Sequence, residues 1–361
     1  TVKMLAAHGI YTIIDMHQDL YGTAVGGEGA PEWATQTGGR PNLDFGFPGS
    51  YYLNPAENHA WDAFWANAPA PNGIGLQDNY AKAWEHVASY FSGNTAVIGY
   101  DVMNEPFPGS SWLPALLGNP YFDTQRLTPL YNQVAAAIRA VDPAAAIIVE
   151  PANPAVSLVG SLFGVQPGLG TIDDPKTILA FHNYCGGAAT TGALCGWLAS
   201  RQADTAQKFA VRHNIPVMMN EFGATDNTSD LTYQRTSADG YMMSWMEWAY
   251  TGHGDITTSG SQGPESVVYN PQLPPTGDNV NTSNLRTLAA PYPQLTSGTP
   301  VSWSFADGRF DFRYSTAKAD GSGSFPGGSL TTIAVPSIAF PNGYQVNVTG
   351  GQVVSASNVT P

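Results

Sequence analysis

Basic residues, cysteine and long apolar runs are all scarce in this chain, and each scarcity excludes a class of function. Lys and Arg total 14 of 361 residues against 28 Asp and Glu, a formal net charge of −14. That balance argues against nucleic acid or an anionic membrane as a partner, since both demand cationic contacts. No apolar stretch reaches the ~18 residues of a membrane span. Cysteine occurs twice, at Cys185 and Cys195, too few for a zinc site built on thiolates. In an oxidising compartment the two could close a small loop worth roughly 2–3 kcal/mol on chain-entropy grounds. Two unconnected buried thiols are the alternative.

What is present is apolar mass and turn chemistry. Apolar residues make up 43% of the chain, with 39 Gly and 28 Pro, enough for a large core and two domains. Abundant Gly, Pro, Ser, Thr and Asn with little Lys suit a secreted protein. Residues 1–8 read as the tail of a helix stopped by Gly9. Strands are expected at 10–16, 97–103, 145–149, 178–182, 217–220 and 241–248. Helices are expected at 77–92, 124–141, 198–213 and 228–240, and a long Gly/Pro/Asn-rich loop at about 22–58. This alternation predicts βα repeats around a parallel sheet. Six strands fall short of the eight of a closed β/α barrel. The expectation is an α/β (β/α)8 TIM barrel of which this chain carries strands three to eight, with the first two units upstream. An open doubly wound sheet is the alternative. After Pro291-Tyr292-Pro293 the helical period disappears. Short alternating segments at 301–305, 309–314, 330–335, 344–348 and 352–355 predict a small all-β sandwich. The expected domains are residues 1–298, a partial barrel, and 299–361, a β cap.

Two of the apolar strands end in a glutamate. Glu105 follows Tyr100-Asp101-Val102-Met103-Asn104, and Glu221 follows Val217-Met218-Met219-Asn220, 116 residues later (221 − 105). Strand C-termini of a β/α barrel carry its catalytic groups. Two carboxylates also suffice for breaking a glycosidic bond: one protonates the leaving oxygen, the other attacks or activates water. Either glutamate alone could be structural, Glu105 as a helix-cap neighbour or ion-pair partner. Counting the expected strands puts the pair on the fourth and seventh.

With that count the chain resembles glycoside hydrolase family 5, and within it the endoglycoceramidase-like branch. The resemblance is carried, in order along the chain, by Asp15-Met16-His17-Gln18-Asp19, Ala30-Pro31-Glu32-Trp33-Ala34, Tyr80-Ala81-Lys82-Ala83-Trp84 and Asn104-Glu105-Pro106-Phe107. It continues through Ile172-Asp173-Asp174-Pro175, His182-Asn183-Tyr184, Asn220-Glu221-Phe222-Gly223 and Ala290-Pro291-Tyr292-Pro293-Gln294. It implies Glu105 as general acid/base, Glu221 as nucleophile and Asn104 as the contact to the hydroxyl beside the scissile carbon. It also implies His182 and Tyr184 flanking the nucleophile, with Tyr184 orienting it. His17 and Asp19 would hold the first sugar, and Trp33 would touch sugar from the long loop. Trp248, or else Trp245, would form the aromatic floor, since three residues apart on a strand they face opposite ways. Asp15, His17 and Asp19 could in principle ligate a metal, but the resemblance implies neither metal nor cofactor.

The substrate question falls to two aliphatic loops at strand C-termini, 107–117 and 156–165. Their apolar density suits a lipid aglycone; packing of a short helix onto the barrel is the bland alternative. The leading expectation is a secreted, monomeric retaining β-glycosidase acting on glycolipid or oligosaccharide, most simply between glycan and ceramide, with peripheral contact to lipid. The others are a β-glucosidase on glucosylceramide or steryl glucoside, an endo-β-1,4-glucanase, and a non-catalytic carbohydrate- or lipid-binding protein.

Overall fold

The computed structural model describes residues 1–152, 165–185, 191–254 and 266–356. Six strands form one sheet in sequence order: β1 (Thr12–Asp15), β2 (Val97–Asp101), β3 (Ala146–Val149), β4 (Thr177–Asn183), β5 (Val217–Phe222) and β6 (Ser244–Trp245). Every neighbouring pair is parallel. With helices in four of its five crossovers among the described residues, the sheet is a partial (β/α)8 barrel that carries the expected strands three to eight. Tyr100, Val102, Ile147, Leu179, Phe181, Met219 and Phe222 are buried along it.

The helices follow their apolar stripes. Leu76–Phe91 buries Leu76, Ala81, Trp84 and Ala88 on one face and ends before Gly93, whose φ of 77° suits only glycine comfortably. The Trp84 indole N–H donates to the Val102 carbonyl at 2.9 Å, so this helix fixes the chain just ahead of Glu105. Thr128–Val141 starts later than expected, because Asp123–Leu127 forms a wide π-helical turn. Ala193–His213 starts earlier, and Cys185 and Cys195 are joined in a disulfide at its first turns.

Three expectations need correction. The loop at 22–58 is not structureless at its end: helices run over Gly49–Leu53 and Pro55–Trp65. Asn54 caps the second one, its side-chain oxygen accepting from Ala56 N at 3.0 Å, and Pro55 occupies the first helical position. The last barrel strand is only Ser244–Trp245, because Met242 sits at φ 56° and cannot extend the strand backward; Trp248 returns through a single parallel bridge to Gly223. In the C-terminal region, β8 (Thr299–Ala306) and β9 (Arg309–Ser315) form a hairpin. Its Asp307-Gly308 turn has both φ angles positive, as a two-residue hairpin turn requires. Tyr292–Leu295 (β7) pairs antiparallel with Thr332–Ala334 (β10), so strand pairing begins ahead of residue 299. Residues 344–348 and 352–355 are not strands; Val346, Val348, Val353 and Val354 are more than half exposed and pair with no strand among the described residues. The result is a small antiparallel β domain, tied to the barrel where the Trp303 indole N–H donates to the Asp239 carbonyl at 2.9 Å.

Glu57 gives a test of this packing. It lies fully buried on the Pro55–Trp65 helix. Burial pushes its carboxyl up to about 8, the Trp61 indole partly opposing and Asp19 adding to the rise. A raised carboxyl stabilises the fold fully only below its ordinary value of 4.5 and loses that contribution as pH rises through about 8. Glu57→Gln should therefore melt with wild type near pH 4.5 and several degrees above it at pH 8.5. Parallel melting curves across that range would contradict the assignment.

Candidate active site

The tips of β1 to β6 bring a cluster of carboxylates around two histidines. The pairing of β4 with β5 shifts register between Phe181 and His182, with Asn220 the extra residue on β5, so that His182 lies opposite Glu221. Its Nδ1 lies 2.8 Å from Glu105 Oε1 and 3.6 Å from Glu221 Oε1, and its Nε2 lies 3.0 Å from Glu150 Oε1. One oxygen of Glu105, one of Glu221 and a nitrogen of His182 all fall within 4.8 Å of one another. Glu105 itself has φ 40°, left-handed backbone that a side-chain-bearing residue adopts at a cost of roughly 1–3 kcal/mol. Contacts on either side hold it there: its N–H donates to Glu150 Oε2 at 2.9 Å, and the Gln18 amide donates to the Asn104 carbonyl at 3.1 Å.

Protonation follows from burial and neighbours. Burial would pull His182 down, but Glu150 and then Glu221 and Glu105 push it well above its ordinary value. Burial raises Glu221 to about 7; Glu105 adds to the rise, while His182, the Tyr184 hydroxyl and His17 oppose it. Tyr184 donates to Glu221 Oε1 at 2.5 Å, and burial and Glu221 together keep it a neutral phenol. Burial would also raise Glu150, yet His182 and the hydrogen bonds from Asn220 and Glu105 hold it below the ordinary carboxylate value. Asp101 is pushed well above its ordinary value by burial, with Glu150 and Asp15 adding. It therefore stands as a neutral acid beside the charged Glu150.

His17 forms the second centre. Its Nδ1 is 2.9 Å from Asp15 Oδ2 and its Nε2 is 3.5 Å from Asp19 Oδ2. Burial opposes its charge, but the bonds to Asp15 and Asp19 lift it to about 11. Trp248 stacks on the His17 ring at 5.1 Å and 10°. Trp245 instead packs edge-on against Phe222 in the core and donates to Asp239 Oδ1. So Trp248 faces the carboxylates and Trp245 does not. Two trios, His17 with Asp19 and Glu28, and Glu105 with His182 and Glu221, are compact enough for a cation. In both, each histidine nitrogen faces a carboxylate, so the rings keep their protons and present no lone pair to a metal.

The remaining expected residues fall less centrally. Asn104 is buried beside Glu105, with its amide N–H given to the Gln18 carbonyl at 3.0 Å. Trp33 is half exposed on the Glu32–Ala34 turn, on the long loop and outside the hydrogen-bonded cluster around the pair. Sequence reasoning misses Glu150 as a site residue, although it ends β3 as Glu150-Pro151 just as Glu105-Pro106 ends its own segment. It also misses Asp101 and Asn220, because their role lies in contacts across strands: the Asn220 amide donates to Asp101 at 2.7 Å and to Glu150 at 2.8 Å.

Known proteins resemble this chain in sequence and fold. The family profile Cellulase (glycosyl hydrolase family 5) matches residues 1–254, and the Glycoside hydrolase family 5 C-terminal domain matches residues 291–360. Endoglycoceramidase I of Rhodococcus hoagii (strain 103S) is 32% identical over 98% of this chain and 67% of its own length. The chain thus spans about two thirds of that relative. Among solved structures, endo-glycoceramidase II from Rhodococcus sp. as a lactosyl-enzyme intermediate superposes with a TM-score of 0.77 at 28% identity, over 100% of this chain and 79% of that one. The same enzyme in complex with ganglioside GM3 gives 0.75 at 28% identity, over 95% and 74%.

The Tyr184 contact is directly testable. Tyr184→Phe removes a donor that holds Glu221 down, so the Glu221 carboxyl should titrate above about 7 in the variant. A ¹³C-carboxyl NMR titration reads this, and an unmoved midpoint would contradict the assigned bond.

Proposed function

The chain belongs to glycoside hydrolase family 5, and on that premise we propose that it is a retaining β-glycosidase that cleaves glycolipids between glycan and lipid. The observation that carries the reaction type is the short span between Glu105 and Glu221, whose nearest oxygens lie within 4.8 Å. Retaining enzymes hold their carboxyls roughly 5–5.5 Å apart, whereas inverting enzymes need ~6.5–9.5 Å to fit a water between. In the proposed reaction Glu221 attacks the anomeric carbon and forms a glycosyl ester. Glu105 gives its proton to the departing aglycone oxygen. Water then attacks the ester, giving a proton back to Glu105, and the sugar leaves with its configuration kept. Tyr184 orients Glu221 through its hydroxyl, and Trp248 with His17 offers a flat floor for the sugar. The lactosyl-enzyme intermediate of the Rhodococcus enzyme supports a covalent route.

The lipid aglycone is supported by the chain after Glu105. The short helix Trp112–Leu116 exposes Leu113, and Leu117 and Tyr121 follow it at 67% and 59% exposure. Beside them a cavity of about 380 Å³ has Trp65, Pro114, Tyr121 and Phe122 in its lining, together with the charged Asp62 and Arg126. Apolar side chains left open at the active face suit alkyl chains better than a second run of sugars. The other aliphatic loop, 156–165, lies outside the described residues except for Val165. The GM3 complex of the Rhodococcus enzyme points the same way. Secretion as a monomer completes the proposal, the Cys185–Cys195 disulfide favouring an oxidising compartment.

Incubating the full chain with GM1, glucosylceramide and carboxymethylcellulose separates the readings. Intact oligosaccharide plus ceramide from GM1 is the expected result. Hydrolysis of glucosylceramide alone selects a β-glucosidase, cleavage of the polymer selects a glucanase, and binding without hydrolysis selects a non-catalytic protein. Glu221→Gln should abolish turnover, and near wild-type activity would sink the nucleophile assignment. Glu105→Gln should lose about 10²–10⁴-fold on substrates with poor leaving groups and far less on 2,4-dinitrophenyl glycosides. Equal losses on both would overturn Glu105 as the acid.

A further inference from the structure

Glu150 touches no part of the surface a substrate could reach, being 3% exposed, yet it meets both halves of the carboxylate pair. Its Oε2 accepts the peptide N–H of Glu105 at 2.9 Å. Its Oε1 faces His182 Nε2 at 3.0 Å and accepts from the Asn220 amide at 2.8 Å, one residue before Glu221. The residue is itself clamped through Tyr131, whose hydroxyl donates to the Glu150 carbonyl at 2.7 Å and accepts from its N–H at 3.2 Å. Three donors on one carboxylate are more than a neutral amide of the same shape could satisfy, since Gln offers a single acceptor oxygen.

We infer that Glu150 is a positioning residue: its carboxylate holds one proton of His182 on Nε2 and the peptide N–H of Glu105, so that Nδ1–H of His182 is presented to Glu105 Oε1 and the acid/base carboxyl is oriented. The inference rests on reading Glu105 as the acid/base. A buried imidazolium needs a counter-charge, and Glu150 lies behind the ring where it supplies one without competing for the sugar. The groups facing His182 are Glu105 from the end of β2, Glu150 from β3, Tyr184 beyond β4 and Glu221 from β5. Asp101 shares the Asn220 amide with Glu150 and is pushed well above its ordinary value by burial, so it adds little negative charge, while Asp15 is paired with His17 at 2.9 Å. Glu150 is therefore the ionised group on the Nε2 side. With it neutralised, the imidazolium loses its counter-charge on the Nε2 side and one ring proton can leave. The left-handed backbone of Glu105 also loses the restraint on its N–H.

The test compares wild type, Glu150→Gln and Glu105→Gln of the full chain. Nitrogen-15 NMR of the His182 ring is the readout that packing alone would not move. Wild type should show both nitrogens protonated from pH 5 to 8, and Glu150→Gln should lose one proton within that range. In kinetics, Glu150→Gln should lose at least about tenfold more kcat/KM on an alkyl β-lactoside than on 2,4-dinitrophenyl β-lactoside, the pattern of a misplaced acid. A neutral His182 in wild type across that range overturns the inference even if the variant fails to fold. So does a folded Glu150→Gln variant whose His182 keeps both protons, or one that loses activity equally on both substrates. Should Glu105→Gln also lose equally on both, the acid/base reading itself fails. If Glu105→Gln shows the leaving-group pattern and Glu150→Gln does not, only the role of Glu150 fails.

Discussion

The site depends on how buried negative charge is neutralised. Asp15, Asp101, Glu105, Glu150 and Glu221 converge at the tips of four of the six strands, where each ionised carboxylate would repel the next. Isolated charges of this kind are prohibitively costly away from water. Two histidines and one neutral acid resolve the conflict. His182 is shared among Glu105, Glu150 and Glu221, and His17 among Asp15 and Asp19, while burial holds Asp101 toward its neutral form. Glu105 and Glu221 stay partly open to solvent, with side chains 19% and 15% exposed. The chemistry proposed for this chain uses these two groups, which His182 Nδ1 approaches at 2.8 and 3.6 Å.

The barrel scaffold makes this arrangement possible because parallel strands deliver side chains from distant sequence to one rim. Glu105 and His182 are 77 residues apart and meet at 2.8 Å. The helices contribute by fixing strand ends: Trp84 holds the Val102 carbonyl, and Tyr131 holds both backbone groups of Glu150. The lipid site proposed for this chain lies elsewhere, in the segment that follows Glu105, where Leu113, Leu117 and Tyr121 stand exposed. In the proposed function, reaction type and substrate choice thus belong to different parts of one loop-bearing rim.

Much of this architecture is legible in the amino-acid sequence. An apolar strand ending in glutamate is conspicuous, and the period-2 and period-3.6 patterns place all six strands and the principal helices. The choice between Trp245 and Trp248 is not legible, because Met242 and the single bridge at Trp248 break the regular alternation that such an argument needs. The Pro55–Trp65 helix escapes notice although Asn54-Pro55 is a good start signal, since the Gly- and Asn-rich stretch ahead of it masks the cap. Glu150 is hidden for a deeper reason. Its partners, Glu105, His182 and Asn220, lie on three other segments, and no local spacing reports a contact made across strands. The alternating segments at 344–348 and 352–355 mislead in the opposite direction, showing strand pattern without a strand partner among the described residues.

The central claim is that Glu221 forms a covalent bond to sugar while Glu105 manages the proton. Reaction of the full chain with 2,4-dinitrophenyl 2-deoxy-2-fluoro-β-lactoside, followed by proteolysis and mass spectrometry, tests it most directly. The fluorine slows both steps and the good leaving group rescues only the first, so the glycosyl-enzyme accumulates. The account predicts a single fluorolactosyl ester on Glu221. An ester on Glu105 or Glu150, or dinitrophenol release with no bound sugar and an inverted product, would contradict it.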